Sequence, residues 1–458
     1  MPAHPIDFEI QANIFSTPEL SAIFDEKTRI ERWLQIEAAL AAVQGKLDII
    51  PASAADEIVK KASLEHLDLN QVAKGYEQSR NSIIPVVKAL RQACDEGHGE
   101  YVHFGVTTQD ILDTAQVLEQ KDALGVIYRD LRLLEEQCIA LARSHRATPM
   151  IGRTHGQQAL PITFGLKVVI WIAEIRRHID RIISLTPRLF TIQLSGAVGT
   201  MAALGPDAQH LARLTAEKLG LHCRVPTWHT SRDNIAEAAS LYGLLCSTFE
   251  KIGSEIVQLS KTELGELAES APGQAVSSST MPHKKNPVIS QRIAVLARHV
   301  RPLVGVVMEG MVHEHERDAR ALWTEWLATP QIAIYTGTAL NYLKTVIDGL
   351  EIRPDRMLKN LYQQKDMVVS EWLLFKLAKI IGKTRAQEKL QALIRVVGKG
   401  DRIFKDILLD DPDIGPYIAD ENLEYLEQPE LYCGLAAEIV DDTLNEVTAK
   451  RQNDPEVL

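Results

Sequence analysis

The stretch SSSTMPHKKNP, from Ser277 to Pro287, interrupts a chain that otherwise consists mostly of helical patterns. Its hydroxyl groups, lysines and prolines leave Met281 as the only large apolar side chain. Serine, lysine and proline are typical of a solvated surface loop, which is the first interpretation. The second is an anion site, in which Lys284 beside Asn286 holds a negative group and a nearby serine acts as base or nucleophile.

Helical periodicity surrounds this stretch on both sides. Two sets of apolar residues recur every three or four positions, and each draws one stripe along a long helix. They are Leu124, Ile127, Leu131, Leu134, Cys138 and Leu141, and Leu241, Leu245, Phe249, Ile252, Ile256 and Leu259. A third helix is predicted from Ile162 to Ile183, apolar on nearly all sides, and a short extended piece with a glycine turn from Leu189 to Thr200. The fold class is therefore all-α, with long helices that bury several faces.

Composition excludes several classes of function. The 458 residues carry 50 Lys and Arg against 61 Asp and Glu, a net charge of -11, which argues against nucleic acid or a membrane surface as partner. The five cysteines are scattered and resemble reduced thiols. We find no secretory signal pattern and no apolar run of the ~18 residues that span a membrane. The sequence predicts a cytoplasmic protein.

The chain has no low-complexity linker, so its division into domains rests on irregular stretches. We place breaks near Gly97–Gly105 and near Glu351–Met357, where Pro354 interrupts the pattern. This predicts an N-terminal helical domain at 1–104, a central long-helix bundle at 105–353 and a C-terminal helical domain at 354–458. The central part contains the serine-rich loop at 273–287.

A second polar stretch, VHFGVTTQDILDT, covers Val102 to Thr114. Either Thr107 or Thr108 can cap the helix that follows, which is a purely structural role. Exposed hydroxyl and N–H groups at a helix start can also bind a carboxylate. Both interpretations stay open on these residues alone.

The third polar stretch, GRTHGQQALPIT from Gly152 to Thr163, is predicted to form a turn before the long apolar helix. It brings Arg153, His155 and Gln157 together. A lone histidine is more often structural, but an imidazole among such donors can supply a proton near neutral pH.

The segment HEHER, from His313 to Arg317, invites a metal interpretation. On a helix His313 and His315 would point about 200° apart, so they would not share an ion. We therefore expect no metal and no cofactor.

Taken together and in this order, the three stretches resemble the fumarase/aspartase superfamily. Its signature is a glycine, two serines, any residue, Met-Pro, any residue, Lys, any residue, Asn-Pro. Ser277 stands where the glycine is usual, so the superfamily's catalytic base falls on Ser278, and Ser279 follows it. The resemblance implies an all-α, three-domain homotetramer with a core of about twenty helices and active sites shared by three subunits. It also implies that the loop brings the base to the substrate.

Two branches of the superfamily share features with this chain. RTHGQQALPITFGLK and SGAVGT resemble adenylosuccinate lyase, in which the position of His155 is the general acid. NIFSTPELSAIF, SRNSIIPVVKAL, TWHTSRD and HERDARALWTEW resemble bacterial 3-carboxy-cis,cis-muconate cycloisomerase, which usually carries Trp at that position. Gln291 stands where the lyases have a glutamate that orients the histidine, and an amide holds the ring without stabilising an imidazolium by charge.

Superfamily members eliminate across a succinyl unit and release fumarate. The resemblance implies a set of substrate-binding residues: Asn81, Ser82, Thr107, Thr108, Gln109, Arg153, Gln157, Ser279, Lys284, Asn286 and Arg317. We expect a lyase that cleaves the C–N bond of a small N-substituted aspartate similar to iminodisuccinate, a polycarboxylate, with Ser278 as base and His155 as acid. The alternatives are a 3-carboxy-cis,cis-muconate cycloisomerase and a catalytically silent binding homologue.

Overall fold

The computed structural model describes residues 3–458 except 9, 12, 82, 271–280, 282, 398–402 and 419–422. The N-terminal part contains five helices: α1 (Pro18–Ile23), α2 (Glu26–Lys46), α3 (Ala52–Lys61), α4 (Leu69–Ser79) and α5 (Ile84–Ala93). The central part contains six: α6 (Thr108–Ser144), α7 (Phe164–Leu189), α8 (Ala208–Leu219), α9 (Asp233–Leu259), α10 (Val288–Glu309) and α11 (Ala319–Asp348). The last part contains α12 (Pro354–Leu361), α13 (Ser370–Ile381), α14 (Lys383–Val397), α15 (Phe404–Leu409), α16 (Gly415–Ile418), α17 (Glu424–Glu427) and α18 (Ala436–Arg451).

Four short strands complete the regular structure of the described residues. They are β1 (Pro149–Thr154), β2 (Gln157–Thr163), β3 (Leu267–Glu269) and β4 (Leu350–Ile352). β1 pairs antiparallel with β2, and β3 pairs antiparallel with β4. Single turns of 3-10 helix lie at Pro5–Asp7, Leu64–His66, His98–Tyr101, Ala202–Leu204 and Pro429–Leu431, with a longer one at Tyr362–Val369.

The long helices α6, α7, α9, α10 and α11 pack against one another in the centre of the chain. α6 has 37 residues, which is about 55 Å of helix. Both predicted apolar stripes lie inside helices, on α6 and α9, and all their members are buried except the half-buried Leu141. The all-α prediction is confirmed, and the twenty-helix tetramer stays a prediction.

The third predicted helix begins later than the sequence suggested. We expected it to start at Ile162, but Ile162 and Thr163 end strand β2, and α7 runs from Phe164 to Leu189. The side chain of Thr163 accepts a hydrogen bond from the Leu166 amide and so caps α7. After α7, the predicted extended piece contains an isolated parallel bridge between Thr191 and His222.

The described residues form two apolar cores. The larger one joins the N-terminal helices to the long central helices, and the smaller one lies mostly within residues 361–426. Helix α18 packs against α7 and belongs to the larger core. The third predicted domain, 354–458, therefore contributes to both cores, and its boundary at 353 stays a prediction. In the described ranges, no helix is long and apolar enough to cross a membrane.

Candidate active site

His155 lies at the tip of a hairpin, a feature that the sequence did not predict. Thr154 pairs with Gln157, so His155 and Gly156 form a two-residue loop with φ of 53° and 77°. Two successive positive φ values are typical of the hairpin turns that match strand twist. The His155 side chain is exposed, as is that of Gln157. The expected turn is thus the tip of a hairpin, which presents the imidazole to its surroundings.

A buried carboxylate anchors this hairpin. Arg153 donates two hydrogen bonds to Glu266, at 2.9 and 2.6 Å, and the Glu266 side chain is fully buried. Asn360 of α12 donates a third, at 2.8 Å, to the same carboxylate. A buried carboxylate needs such partners, because desolvation of an unpaired charge is costly. In this chain Arg153 is therefore engaged with Glu266, and a role for it in substrate binding stays a prediction.

A second glutamate links β3 to the start of α10, the two described elements between which the signature stretch lies. Glu269, the last residue of β3, accepts hydrogen bonds from the Ile289 amide at 2.8 Å, the Ser290 amide at 2.8 Å and the Ser290 hydroxyl at 2.7 Å. Ile289 and Ser290 lie in the first turn of α10, where free amides and the helix dipole favour a negative charge. The end of β3 and the start of α10 therefore lie next to each other.

The proposed base Ser278 and its neighbour Ser279 lie outside the described residues, as does Ser82. Of the segment's described residues, Lys284 is exposed and Asn286 is half-buried. Gln291 is exposed in the first turn of α10, and its backbone N–H donates to the Pro287 carbonyl. Among the described residues of one chain, Gln291 and His155 do not hydrogen-bond to each other, so the orienting role of Gln291 stays a prediction.

The start of α6 is organised by one carboxylate. Thr107 is the N-cap residue, as one of the two sequence alternatives expected. Its amide donates to Asp110 at 3.1 Å, and the same carboxylate accepts the amides of Ser195 at 3.0 Å and Gly196 at 2.9 Å. His229 Nε2 lies 3.0 Å from it and donates, because a carboxylate only accepts. Asp110 therefore ties three separate segments together.

Next to this carboxylate, Gln109 and Arg317 meet although 208 residues separate them. Arg317 Nε donates to the Gln109 Oε1 atom at 2.8 Å, and its Nη2 donates to the Ala197 carbonyl at 2.7 Å. Gln109 in turn donates to Asp113 at 2.9 Å. The structure thus brings together two of the predicted substrate-binding residues, and the Arg317 side chain stays exposed.

Asp113, which accepts from Gln109, also belongs to a buried ion triad. Arg232 donates to Asp113 at 2.8 Å and to Glu325 at 2.9 Å, and all three side chains are fully buried. Its guanidinium lies 4.8 Å from the ring centroid of Trp228. Removing one member would leave a buried unpaired charge, which is strongly destabilising.

Two histidines here were not predicted as site residues. His229 keeps Nδ1 without a hydrogen-bond partner, and both ring nitrogens of His313 lack one in the part of the chain that the structure describes. Burial, followed by the charge of Arg232, lowers the pKa of His313, with Asp318 and Asp113 opposing the effect. Both residues lie within or beside motifs, TWHTSRD and HERDARALWTEW, that served only to indicate the family.

The placement of HEHER on a helix was wrong. α10 ends at Glu309 and α11 begins only at Ala319, so His313–Arg317 form the connection between them. The helix cannot run through because Asp318 caps α11, where its carboxylate accepts the Arg320 amide at 3.0 Å. Across the described ranges, no group of three or more His, Cys, Asp or Glu side chains could hold a metal ion.

The remaining predicted residue, Asn81, has a structural partner. Its Oδ1 accepts the amides of Ile83 and Ile84, both at 3.1 Å, at the start of α5. Asn81 is half-buried. A role in gripping substrate stays a prediction.

The described residues thus include an exposed histidine on a hairpin, an exposed lysine before α10 and an exposed arginine beside the start of α6. The chain is also extensively similar to known proteins. The chain matches the family described as lyase over residues 14–301, and it belongs to that family within the fumarase/aspartase superfamily. It is 38% identical over 444 residues to an N-acetyl-S-(2-succino)cysteine lyase of Enterococcus italicus, covering 97% of both chains. It is 34% identical to an adenylosuccinate lyase of Methanocaldococcus jannaschii over 98% of this chain and 97% of that one.

Among solved structures, the chain resembles a 3-carboxy-cis,cis-muconate lactonizing enzyme from Pseudomonas putida. The TM-score is 0.88 at 33% identity, covering 95% of this chain and 98% of that one. Both branches indicated by the sequence are thus represented among its relatives.

Proposed function

We propose that this chain is a lyase that releases fumarate and an amine from a small N-substituted aspartate. The observation that carries the proposal is the exposed imidazole of His155 on an anchored hairpin, in a chain of the lyase family that keeps the serine-lysine signature. A leaving nitrogen needs a proton, and a solvent-accessible imidazole is suited to supply it.

The reaction is a β-elimination. The alkoxide of Ser278 removes a proton from the CH₂ group of the succinyl unit and becomes a neutral hydroxyl. Lys284 and Asn286 stabilise the negative charge that develops on the neighbouring carboxylate. The bond between Cα and nitrogen then breaks, and its electron pair goes to nitrogen. His155 delivers a proton to that nitrogen, so the products are fumarate and a neutral amine.

The other predicted residues bind the substrate carboxylates. Arg317 stays exposed while Gln109 fixes its Nε atom, so its guanidinium is oriented before a ligand arrives. Thr107 and Thr108 lie beside it at the start of α6, where the helix dipole favours a carboxylate. Asn81, Ser82, Gln157 and Ser279 complete the proposed set, and the active enzyme is a homotetramer with shared sites.

A thioether is the second candidate substrate. It is favoured by the similarity to the Enterococcus italicus enzyme, whose name denotes cleavage of a succinylated cysteine derivative. A thiol with a pKa near 8.5 leaves more readily than an amine, so a sulfur substrate depends less on proton donation. In such a reaction His155 binds the substrate more than it drives bond cleavage.

The cycloisomerase is the third candidate, favoured by the likeness to the Pseudomonas putida enzyme. In that reaction a carboxylate adds within the same molecule and nothing leaves. A silent binding homologue is the least supported alternative, because the chain keeps Lys284 and His155.

A substrate panel followed by fumarate absorbance separates these functions. We expect fumarate from iminodisuccinate or a related N-substituted aspartate, little from adenylosuccinate, and loss of amine release in His155→Trp. Fumarate from an S-(2-succino) thioether alone, with a modest effect of His155→Trp, would favour the second candidate. Consumption of 3-carboxy-cis,cis-muconate without fumarate, while every succinyl adduct is inert, would contradict the proposal and establish the cycloisomerase.

A further inference from the structure

A cavity of about 460 Å³ lies between the N-terminal helices and the central bundle. Four aromatic side chains line it: Phe24, Trp33, Tyr76 and Trp326. Ile30, Leu112 and Ala115 also line it, so its volume and its mainly apolar and aromatic walls are those of a site for a small organic molecule. None of the residues assigned to the reaction lines this cavity.

The cavity is lined in part by α6, whose first turn carries proposed carboxylate-binding residues. On α6, Leu112 and Ala115 line it, and they follow Thr108 by four and seven residues. Residues at this spacing share one helix face, and Leu112 lies about 6 Å along the axis from Thr108. On α11, the lining residue Trp326 follows Arg317 by nine residues. Helix α6, which carries Thr108 in its first turn, therefore also forms one wall of the cavity, and α11, which begins two residues after Arg317, forms another.

The charges of the cavity disfavour an anion. Arg29 donates to Glu119 at 2.7 and 3.1 Å, which neutralises both groups. Glu26 is the third charged lining residue, so the walls carry one excess negative charge. A carboxylate placed there would lose hydration and meet like charge.

One uncharged polar side chain in the cavity wall is almost fully buried. Gln116 lines the cavity and is 5% exposed, and its Nε2 donates to Glu325 at 3.4 Å. Its Oε1 is buried and has no hydrogen-bond partner among the described residues. Because this oxygen has almost no accessible surface, it offers no hydrogen bond to a ligand, and the fit depends on the apolar and aromatic walls.

We infer that this cavity holds the leaving half of the substrate, and that this half is an uncharged, apolar or aromatic group. The inference rests on the proposed function and narrows its substrate class. A succinyl unit held at Thr108 and Arg317 extends its substituent along the shared face of α6. The enzyme then prefers aspartates with an uncharged aromatic substituent to the polyanionic iminodisuccinate.

The first test compares N-benzylaspartate with iminodisuccinate in the full-length enzyme. Trp326→Ala should lower kcat/KM for N-benzylaspartate about 10- to 100-fold and change that for iminodisuccinate less than about threefold. Trp323→Ala, at an exposed tryptophan of the same helix, is the matched control and should change neither. Glu119→Gln should improve iminodisuccinate relative to N-benzylaspartate, because it releases the Arg29 charge toward the cavity.

Faster turnover of iminodisuccinate than of N-benzylaspartate by the unmodified enzyme would overturn the inference and leave the proposed function intact. If neither adduct releases fumarate, the proposed function fails. Whether the cavity is a ligand site is then tested by binding alone. Calorimetry with N-benzylacetamide, a neutral aromatic amide, should then show binding that Trp326→Ala weakens at least about tenfold and Trp323→Ala leaves unchanged. No detectable binding at millimolar concentration would refute the cavity as a ligand site.

Discussion

Replacing Asp110 by Asn tests whether one carboxylate holds the region around Gln109 and Arg317 together. In the native chain Oδ1 accepts from Ser195 and His229, and Oδ2 accepts from Thr107 and Gly196. An asparagine keeps the shape but turns one oxygen into an NH₂ group, which cannot accept. Two hydrogen bonds to a charged group are lost, each of about 1.5–3 kcal/mol. The free energy that stabilises the three joined segments against local opening should therefore fall by about 3–6 kcal/mol.

Hydrogen exchange read by mass spectrometry measures this loss locally, which suits a chain too large for two-state unfolding. At about 1.4 kcal/mol per tenfold, peptides covering 105–114, 191–199 and 226–233 should exchange roughly 100- to 10,000-fold faster in Asp110→Asn. Asp122→Asn is the control, since this aspartate lies on the same helix with a 48% exposed side chain. Unchanged exchange in the three peptides would refute the reasoning, and acceleration of only the α6 peptide would show that Asp110 is a simple helix cap.

Further predictions concern catalysis and pH. Ser278→Ala should lower kcat by about two to four powers of ten with KM largely kept, and an active Ser278→Ala beside an inactive Ser279→Ala would contradict the assignment. Mixing inactive Ser278→Ala and His155→Ala chains should restore some fumarate release if sites are shared; none after verified subunit exchange would argue for sites within one chain. Burial and the charge of Arg181 lower the pKa of His178 to about 4. Between about pH 6.5 and pH 4 this histidine therefore binds a proton in the unfolded chain but not in the folded chain, so protonation favours unfolding. The thermal midpoint should fall over that window, and less so in His178→Gln; an equal fall in both proteins would contradict this. Activity should survive dialysis against a strong chelator, and its loss with rescue by a divalent ion would refute the metal-free chemistry.

The helices were predictable because their signal is local. Apolar residues at helical spacing give α6 and α9, and Thr107 gives the start of α6. The hairpin around His155 was not predicted, since Gly152 and Arg153 interrupt the alternation of β1 and the register between the strands shifts at that point. Its stability depends on Glu266, which is 113 residues away from Arg153 and is visible only once the chain has folded.

The candidate site was predictable in its parts but not in its assembly. Gln109 and Arg317 were identified separately by resemblance, and nothing in the spacing indicated that one would orient the other. Asp110 was not predicted as a site residue, although its carboxylate accepts the amides of Ser195 and Gly196 from a distant loop. Contacts between residues that are distant in sequence leave no periodic pattern in the sequence, so they could not be predicted from it.

The three-residue strand β3 connects the two proposed catalytic elements. Glu266 directly before it holds the His155 hairpin, and Glu269 at its end holds the start of α10. The two glutamates are three residues apart, about 10 Å of extended chain, so a displacement of β3 moves both elements. A proton-transfer enzyme needs its base and its acid held in register with the substrate. If the sites are shared between subunits, as the resemblance implies, the histidine and the serine of one chain serve different sites.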